Sequence, residues 1–180
     1  MSSIPLFAPG VAVSMVVALA ACTSLGRALG VRQPVAWALV VALGIVLAAT
    51  LTPQSGALEY GATGTGSCDL NRIGPAPLAT LIAANQASAN VLLFVPLGTV
   101  IGLLPRSRRK MVVLAAAIAL PFAVEALQLL VTVLDRGCQS ADVADNLTGL
   151  FVGLAVGSVA RWFAATRIIT EGPDSRSGPR

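Results

Sequence analysis

Five stretches of this chain run almost without charge for about the length of a bilayer crossing: Ala8–Leu25, Val35–Leu51, Ala89–Leu104, Met111–Leu134 and Val143–Ala160. An α-helix needs roughly 20 apolar residues to cross a hydrocarbon core of ~30 Å, and only helices and closed barrels satisfy their backbone there. The stretches are continuous and lack the alternation of a barrel strand, so the spacing predicts helices. Charged residues make up 11% of the chain, less than half the usual share of a soluble domain. The expected fold class is therefore all-α: a polytopic transmembrane helical bundle of about five spans.

Charge placement orients the bundle. Arg27, Arg32, Arg106, Arg108, Arg109, Lys110, Arg161, Arg167, Arg176 and Arg180 all fall on one side of a five-span arrangement, and only Arg72 and Arg136 on the other. Cytoplasmic loops collect Lys and Arg, which predicts the N-terminus outside and the C-terminus inside. The alternative is a re-entrant or interfacial first or second segment. The expected organisation is two N-terminal transmembrane helices over 1–51, an extracytoplasmic loop over 52–88, a three-helix core over 89–161 and a disordered cytoplasmic tail over 162–180. The first half of the loop is expected to lack regular structure, and Pro77–Ser88 to hold a short interfacial helix. Leu19-Ala20-Ala21-Cys22 resembles the stretch before a lipid-modified cysteine, but no Lys or Arg precedes the apolar run. That is the wrong charge order for a secretory signal, so the first helix is expected to be retained.

The cysteines divide unequally. Cys22 reads as a small apolar filler near the cytoplasmic end of the first helix. Cys68 and Cys138 fall in loops on the oxidising side, which suggests a disulfide tying the long loop to the last short one; two free thiols are the alternative.

Glu125 is the most informative polar residue, because an ionisable group at membrane depth costs roughly 2.5–3.5 kcal/mol by insertion scales and normally faces a bundle interior or a cavity. Gln128 follows one turn later and Pro121 precedes it by one turn. Glu125 lies fourteen residues into its helix from Met111, roughly 21 Å from the cytoplasmic end. At a similar depth come Asn90, at the start of the third helix, Arg136, in a short outer loop, and Asp142 and Asn146, one turn apart at the start of the fifth. These six residues either stitch helices together through hydrogen bonds worth about 1 kcal/mol each or line an outward-facing pocket. Gly98 and Gly102 continue the face of Asn90, while Gly149, Gly153 and Gly157 continue that of Asp142. Such ladders allow close helix packing, within the chain or between copies in a homo-oligomer.

The pieces Asn90-Val-Leu-Leu-Phe94-Val-Pro96-Leu97-Gly98, Glu125-Ala-Leu-Gln128, Arg136 and Asp142-Val-Ala-Asp-Asn146-Leu-Thr-Gly149 occur in this order over about 89–157. In this pattern the chain resembles the VanZ-like family of bacterial membrane proteins. The first two helices carry no piece of it, and Cys138 is no part of the general pattern. The resemblance implies a cell-envelope protein of the cytoplasmic membrane, related to one that raises resistance to the glycopeptide teicoplanin; it supplies a phenotype class and no reaction.

Two functions compete. One is an envelope factor whose outer-leaflet pocket, built from Asn90, Glu125, Gln128, Arg136, Asp142 and Asn146, engages a lipid-linked or acylated ligand. The other is an intramembrane enzyme acting on a lipid or isoprenoid substrate, with Glu125 and Asp142 as acid and base or holding a divalent cation. No resident metal or cofactor is expected. An odd number of spans without an internal repeat argues against a transporter. Histidine is absent and aromatics make up only 4% of the chain, which argues against nucleophile–histidine chemistry and nucleic-acid binding. The expected partners are the bilayer and the small ligand, with a second copy joined through the glycine faces as the alternative to packing within the chain.

Overall fold

A computed structural model describes residues 6–53 and 67–170. Most of the first half of the 52–88 loop and the last ten residues of the tail lie outside the described residues. Helices α1 (Phe7–Leu29), α2 (Gln33–Thr50), α3 (Leu78–Leu81), α4 (Gln86–Leu103), α5 (Arg108–Leu130) and α6 (Ser140–Thr170) follow one another along the chain. All but α3 are long and apolar enough to cross a membrane, so the chain is an all-α, multi-pass membrane protein. Every one of these five carries large apolar side chains on the outside, among them Val16, Leu43, Leu92, Phe122 and Phe151, as a lipid-facing surface requires.

Local chemistry sets the boundaries. Gly30 ends α1 in the left-handed conformation at φ 69°, its N–H returning to Arg27 O, and the next helix starts with Pro34 in its first turn. Asn85 and Ser88 form a capping box at the start of α4; Ser107 caps α5, accepting from Lys110 N at 3.2 Å. Such caps satisfy N–H groups that have no partner within the helix. Pro96 and Pro121 both sit inside unbroken helices. The short helix expected between Pro77 and Ser88 shrinks to the single turn of α3, because Asn85 restarts the chain as α4. At the other extreme α6 passes the expected end of the core at 161 and runs to Thr170. Arg161 is as good a helix former as leucine, so the end of the apolar run does not end the helix.

The bundle is held by small residues more than by apolar burial, since lipid is as apolar as the core and gives no hydrophobic drive between helices. Parallel helices α4 and α6 pack backbone to backbone. A Cβ added to Gly98 would lie 2.1 Å from Leu150 O, one on Gly149 2.0 Å from Val91 O, and one on Gly153 2.1 Å from Val95 O. The same holds at Gly102 and Gly157. Both ladders thus pack within one chain, the first of the two uses expected of them. Around this seam Leu39, Ala42 and Val46 of α2, Phe94, Leu97 and Ile101 of α4, Ala117 of α5 and Leu150 of α6 form the core. Helix α1 stands outside it, packing on α2 with only Ala18 and Gly26 buried.

Between α5 and α6 the chain makes a 3-10 turn, Thr132–Leu134, and passes through Asp135 in the left-handed region at φ 51°. A two-residue parallel ladder then pairs Cys68 with Cys138 and Asp69 with Gln139. Cys68 and Cys138 are joined as a disulfide, Cα to Cα 4.5 Å.

Candidate functional site

Helices α2 and α5 end, and α4 and α6 begin, at one end of the bundle, and the polar residues gather there. Glu125 lies five residues before the end of α5 and is 5% exposed. Its Oε2 accepts the backbone N–H of Gln139 at 2.7 Å. The carboxylate thus receives the chain just before α6 starts, where the N–H groups of a helix lack intrahelical partners. Gln128, one turn on and also buried, donates through Nε2 to Thr50 O at 2.9 Å. Arg136 donates through Nε to Thr52 O at 3.3 Å. Both side chains therefore satisfy carbonyls at the end of α2, one buried and one beyond the last turn.

From α6, Asp142 accepts from Gln86 Nε2 at 3.2 Å. Asn90 lies against the same carboxylate, outside hydrogen-bond geometry, so its Nδ2 stays unpartnered. Glu125 and Asp142 repel each other, and the Arg136 guanidinium attracts both. Burial pulls the Arg136 pKa below its ordinary value, while Asp142 and Glu125 oppose that shift. Arginine keeps its proton in such a setting, so the site holds one fixed cation between two acids.

The structure therefore brings the six residues singled out in the sequence to one end, held by a mixture of direct bonds and longer-range attraction. They do not satisfy one another. Among the described residues four buried side-chain N or O atoms lack a hydrogen-bond partner, and three of them belong to this cluster: Asn90 Nδ2, Arg136 Nη2 and Asn146 Oδ1. Asn146 is only 2% exposed. Buried polar groups are nearly always bonded, and each orphan costs about 1–3 kcal/mol. These three atoms leave two donors and one acceptor unused at one end of the bundle.

Sequence reasoning missed the neighbouring ion pair. Asp145, fully buried, accepts from Arg72 at 3.0 Å and 2.5 Å through two nitrogens and from Ala76 N at 3.0 Å. Arg72 also donates to Gly74 O at 2.6 Å, and Ser140 Oγ donates to Arg72 O at 2.8 Å. The hydrogen-bonded Asp145 side chain is the largest of the influences that raise the Arg72 pKa above its ordinary value. This pair straps the loop after Cys68–Asp69 onto the first turns of α6, beside the disulfide. One signal was available: only two cations fall on this side of the chain, and a solitary arginine near membrane helices needs a partner.

No group of three or more His, Cys, Asp or Glu among the described residues is placed to hold a metal ion. A family model described as VanZ/LLP1 matches residues 36–161, which runs from the first turn of α2 through most of α6 and leaves out α1. No curated protein and no solved structure matches the chain significantly.

Proposed function

Because this chain belongs to the VanZ/LLP1 family, we propose that its buried polar cluster is a binding site for the polar part of a lipid-linked or acylated ligand. The observation that carries this reading is the set of three unpartnered atoms, Asn90 Nδ2, Arg136 Nη2 and Asn146 Oδ1. Together they offer donors from a guanidinium and an amide and one acceptor, a set suited to an amide, hydroxyl or phosphate of an amphiphile. The site lies at the end of a lipid-facing bundle, so an acyl or isoprenoid chain lies along the helices while the head enters.

Two observations support the side of the membrane. The disulfide at this end belongs in an oxidising compartment, and the basic residues of the α1–α2 and α4–α5 turns gather at the opposite end. Both favour an N-out, C-in protein of the cytoplasmic membrane with its site in the outer leaflet. Together with the family, this supports a role among envelope factors that change how a teicoplanin-type glycopeptide meets its target.

The test is surface binding of fluorescent teicoplanin to cells expressing wild type, Glu125→Gln or empty vector at matched membrane levels. Glu125→Gln keeps an acceptor for Gln139 N–H but removes the charge. Reduced labelling with wild type, restored by the variant, supports the reading. Equal labelling of all three removes glycopeptide resistance as the function.

A second reading rests on Glu125 and Asp142 converging from two helices: acid and base of an intramembrane enzyme acting on a lipid or isoprenoid. It requires a released product. Ligand retained by purified protein without turnover, and equally by Asp142→Asn, sinks it.

A further inference from the structure

The opposite end of the bundle holds a second polar feature that the proposed function does not use. A cleft of about 290 Å³ is lined by Arg106, Lys110, Ser158, Arg161, Trp162 and Ala165. Arg106 comes from the α4–α5 turn, Lys110 from the first turn of α5 and the rest from the last turns of α6. Lys110 turns its ammonium to Gly102 O at 3.2 Å and Leu104 O at 3.4 Å, capping the carbonyls at the end of α4. Arg106 and Arg161 both act on Lys110 as repelling charges. The segments 104–111 and 155–166 contain no Asp or Glu, and the next acid along the chain is Glu171, ten residues beyond Arg161.

Three cations that repel one another in one cleft are held together most readily by an anion. From this geometry we infer that the cleft binds the phosphate of an anionic phospholipid. Arginine forks suit phosphate oxygens, which they engage in pairs, and Ser158 adds a hydroxyl. Trp162, 62% exposed and edge-on to Phe163, marks the level of the membrane interface, where aromatic residues collect. The cleft therefore lies at headgroup depth, with apolar helix faces beside it for acyl chains. Basic pockets between transmembrane helices bind anionic headgroups in this way. The occupant is a lipid and not free phosphate because only a lipid brings its anion to this depth already anchored.

The experiment uses the full-length protein, delipidated in detergent and titrated with phosphatidylglycerol, phosphatidylcholine or inorganic phosphate, with retention read by native mass spectrometry and stability by thermal unfolding. Phosphatidylglycerol is expected to bind more tightly than phosphatidylcholine and to raise the unfolding temperature. Arg106→Gln and Arg161→Gln each weaken that preference by about fivefold, while Arg108→Gln with Arg109→Gln, outside the cleft, leaves it unchanged. Equal retention of the two lipids by the unmodified protein overturns the inference, independently of any variant. So does loss of the preference in the Arg108/Arg109 control, or equal stabilisation by inorganic phosphate at the same concentration.

Discussion

The bundle contains two close helix seams, and they are built differently. Between α4 and α6 the obstacles to a larger residue are backbone atoms: Leu150 O faces Gly98, Val91 O faces Gly149, and Val95 O faces Gly153. Between α1 and α2 they are side chains: Ser14 Oγ and Cβ face Gly44 at 2.0 and 2.2 Å, and Ala48 Cβ faces Gly10 at 2.8 Å. A side-chain obstacle can be removed by changing one residue, whereas a carbonyl is present whatever the sequence. The difference follows the family match, which covers α4 and α6 and excludes α1. It also follows the site, because Asn90 rides on one helix of the backbone seam and Asp142 and Asn146 on the other.

The largest effect is expected at Gly153→Val. No rotamer avoids Val95 O, and α4 and α6 are pinned by α2 and α5, so overpacking costs roughly 3 kcal/mol or more. Detergent-extracted variant protein should run as aggregate in size-exclusion chromatography, and Val95→Ala should not rescue it. A monodisperse peak with unchanged unfolding temperature would mean the two helices do not meet there.

Next comes the strap that closes the top of the same seam. Arg72→Ala leaves Asp145 buried, with its side chain 1% exposed, and uncompensated. Breaking a buried pair in this way costs about 3–5 kcal/mol; the Arg72 side chain is itself 34% exposed, which points to the lower end. Asp145→Asn, which keeps an acceptor for Ala76 N–H, should cost less. Reversal of that order in thermal unfolding would show that the loop, and not the charge, is what Asp145 needs. The Cys68–Cys138 bridge spans 70 residues of sequence and is worth about 2–4 kcal/mol by loop closure. Because helices persist in the membrane when packing is lost, the lower value applies. Reductant should lower the unfolding temperature of the wild type and leave that of Cys68→Ser with Cys138→Ser unchanged.

What could be read from the sequence divides along similar physical lines. The spans and glycine ladders were legible because lipid imposes both: continuous apolar runs for the backbone, and small residues where helices must approach. Glu125, Gln128, Asp142 and Asn146 were legible as a group because membrane depth follows from counting along each helix. The ends of α2 were not, since Thr50 and Thr52 contribute carbonyls and a carbonyl leaves no trace in residue identity. Asp145 was hidden beside Asp142 and Asn146, one acid in a polar turn, until the loop around Arg72 folded over it. The reach of α6 to Thr170 was missed because hydropathy falls at Arg161 while helix propensity does not.

The smallest effect tests the comparison most directly. At Gly44→Ala the new methyl meets Ser14 Oγ and Cβ; rotating Ser14 relieves only the first contact, so α1 must shift. Helix α1 packs chiefly on α2 and has little else to hold it, and a shift of this kind should cost about 1 kcal/mol, at the low end for overpacking. Ser14→Gly removes both obstructing atoms and also the Ser14 Oγ–Gly10 O bond of 2.8 Å, a weak intrahelical contact. Alone it should cost a few tenths of a kcal/mol, the helix penalty of glycine; with Gly44→Ala the combined loss should be smaller than the sum of the two, a favourable coupling energy in the double-mutant cycle. Additive effects would mean that the peripheral helix is also held through its backbone. The two seams would then differ in burial alone, and the match of seam type to family and site would lose its physical basis.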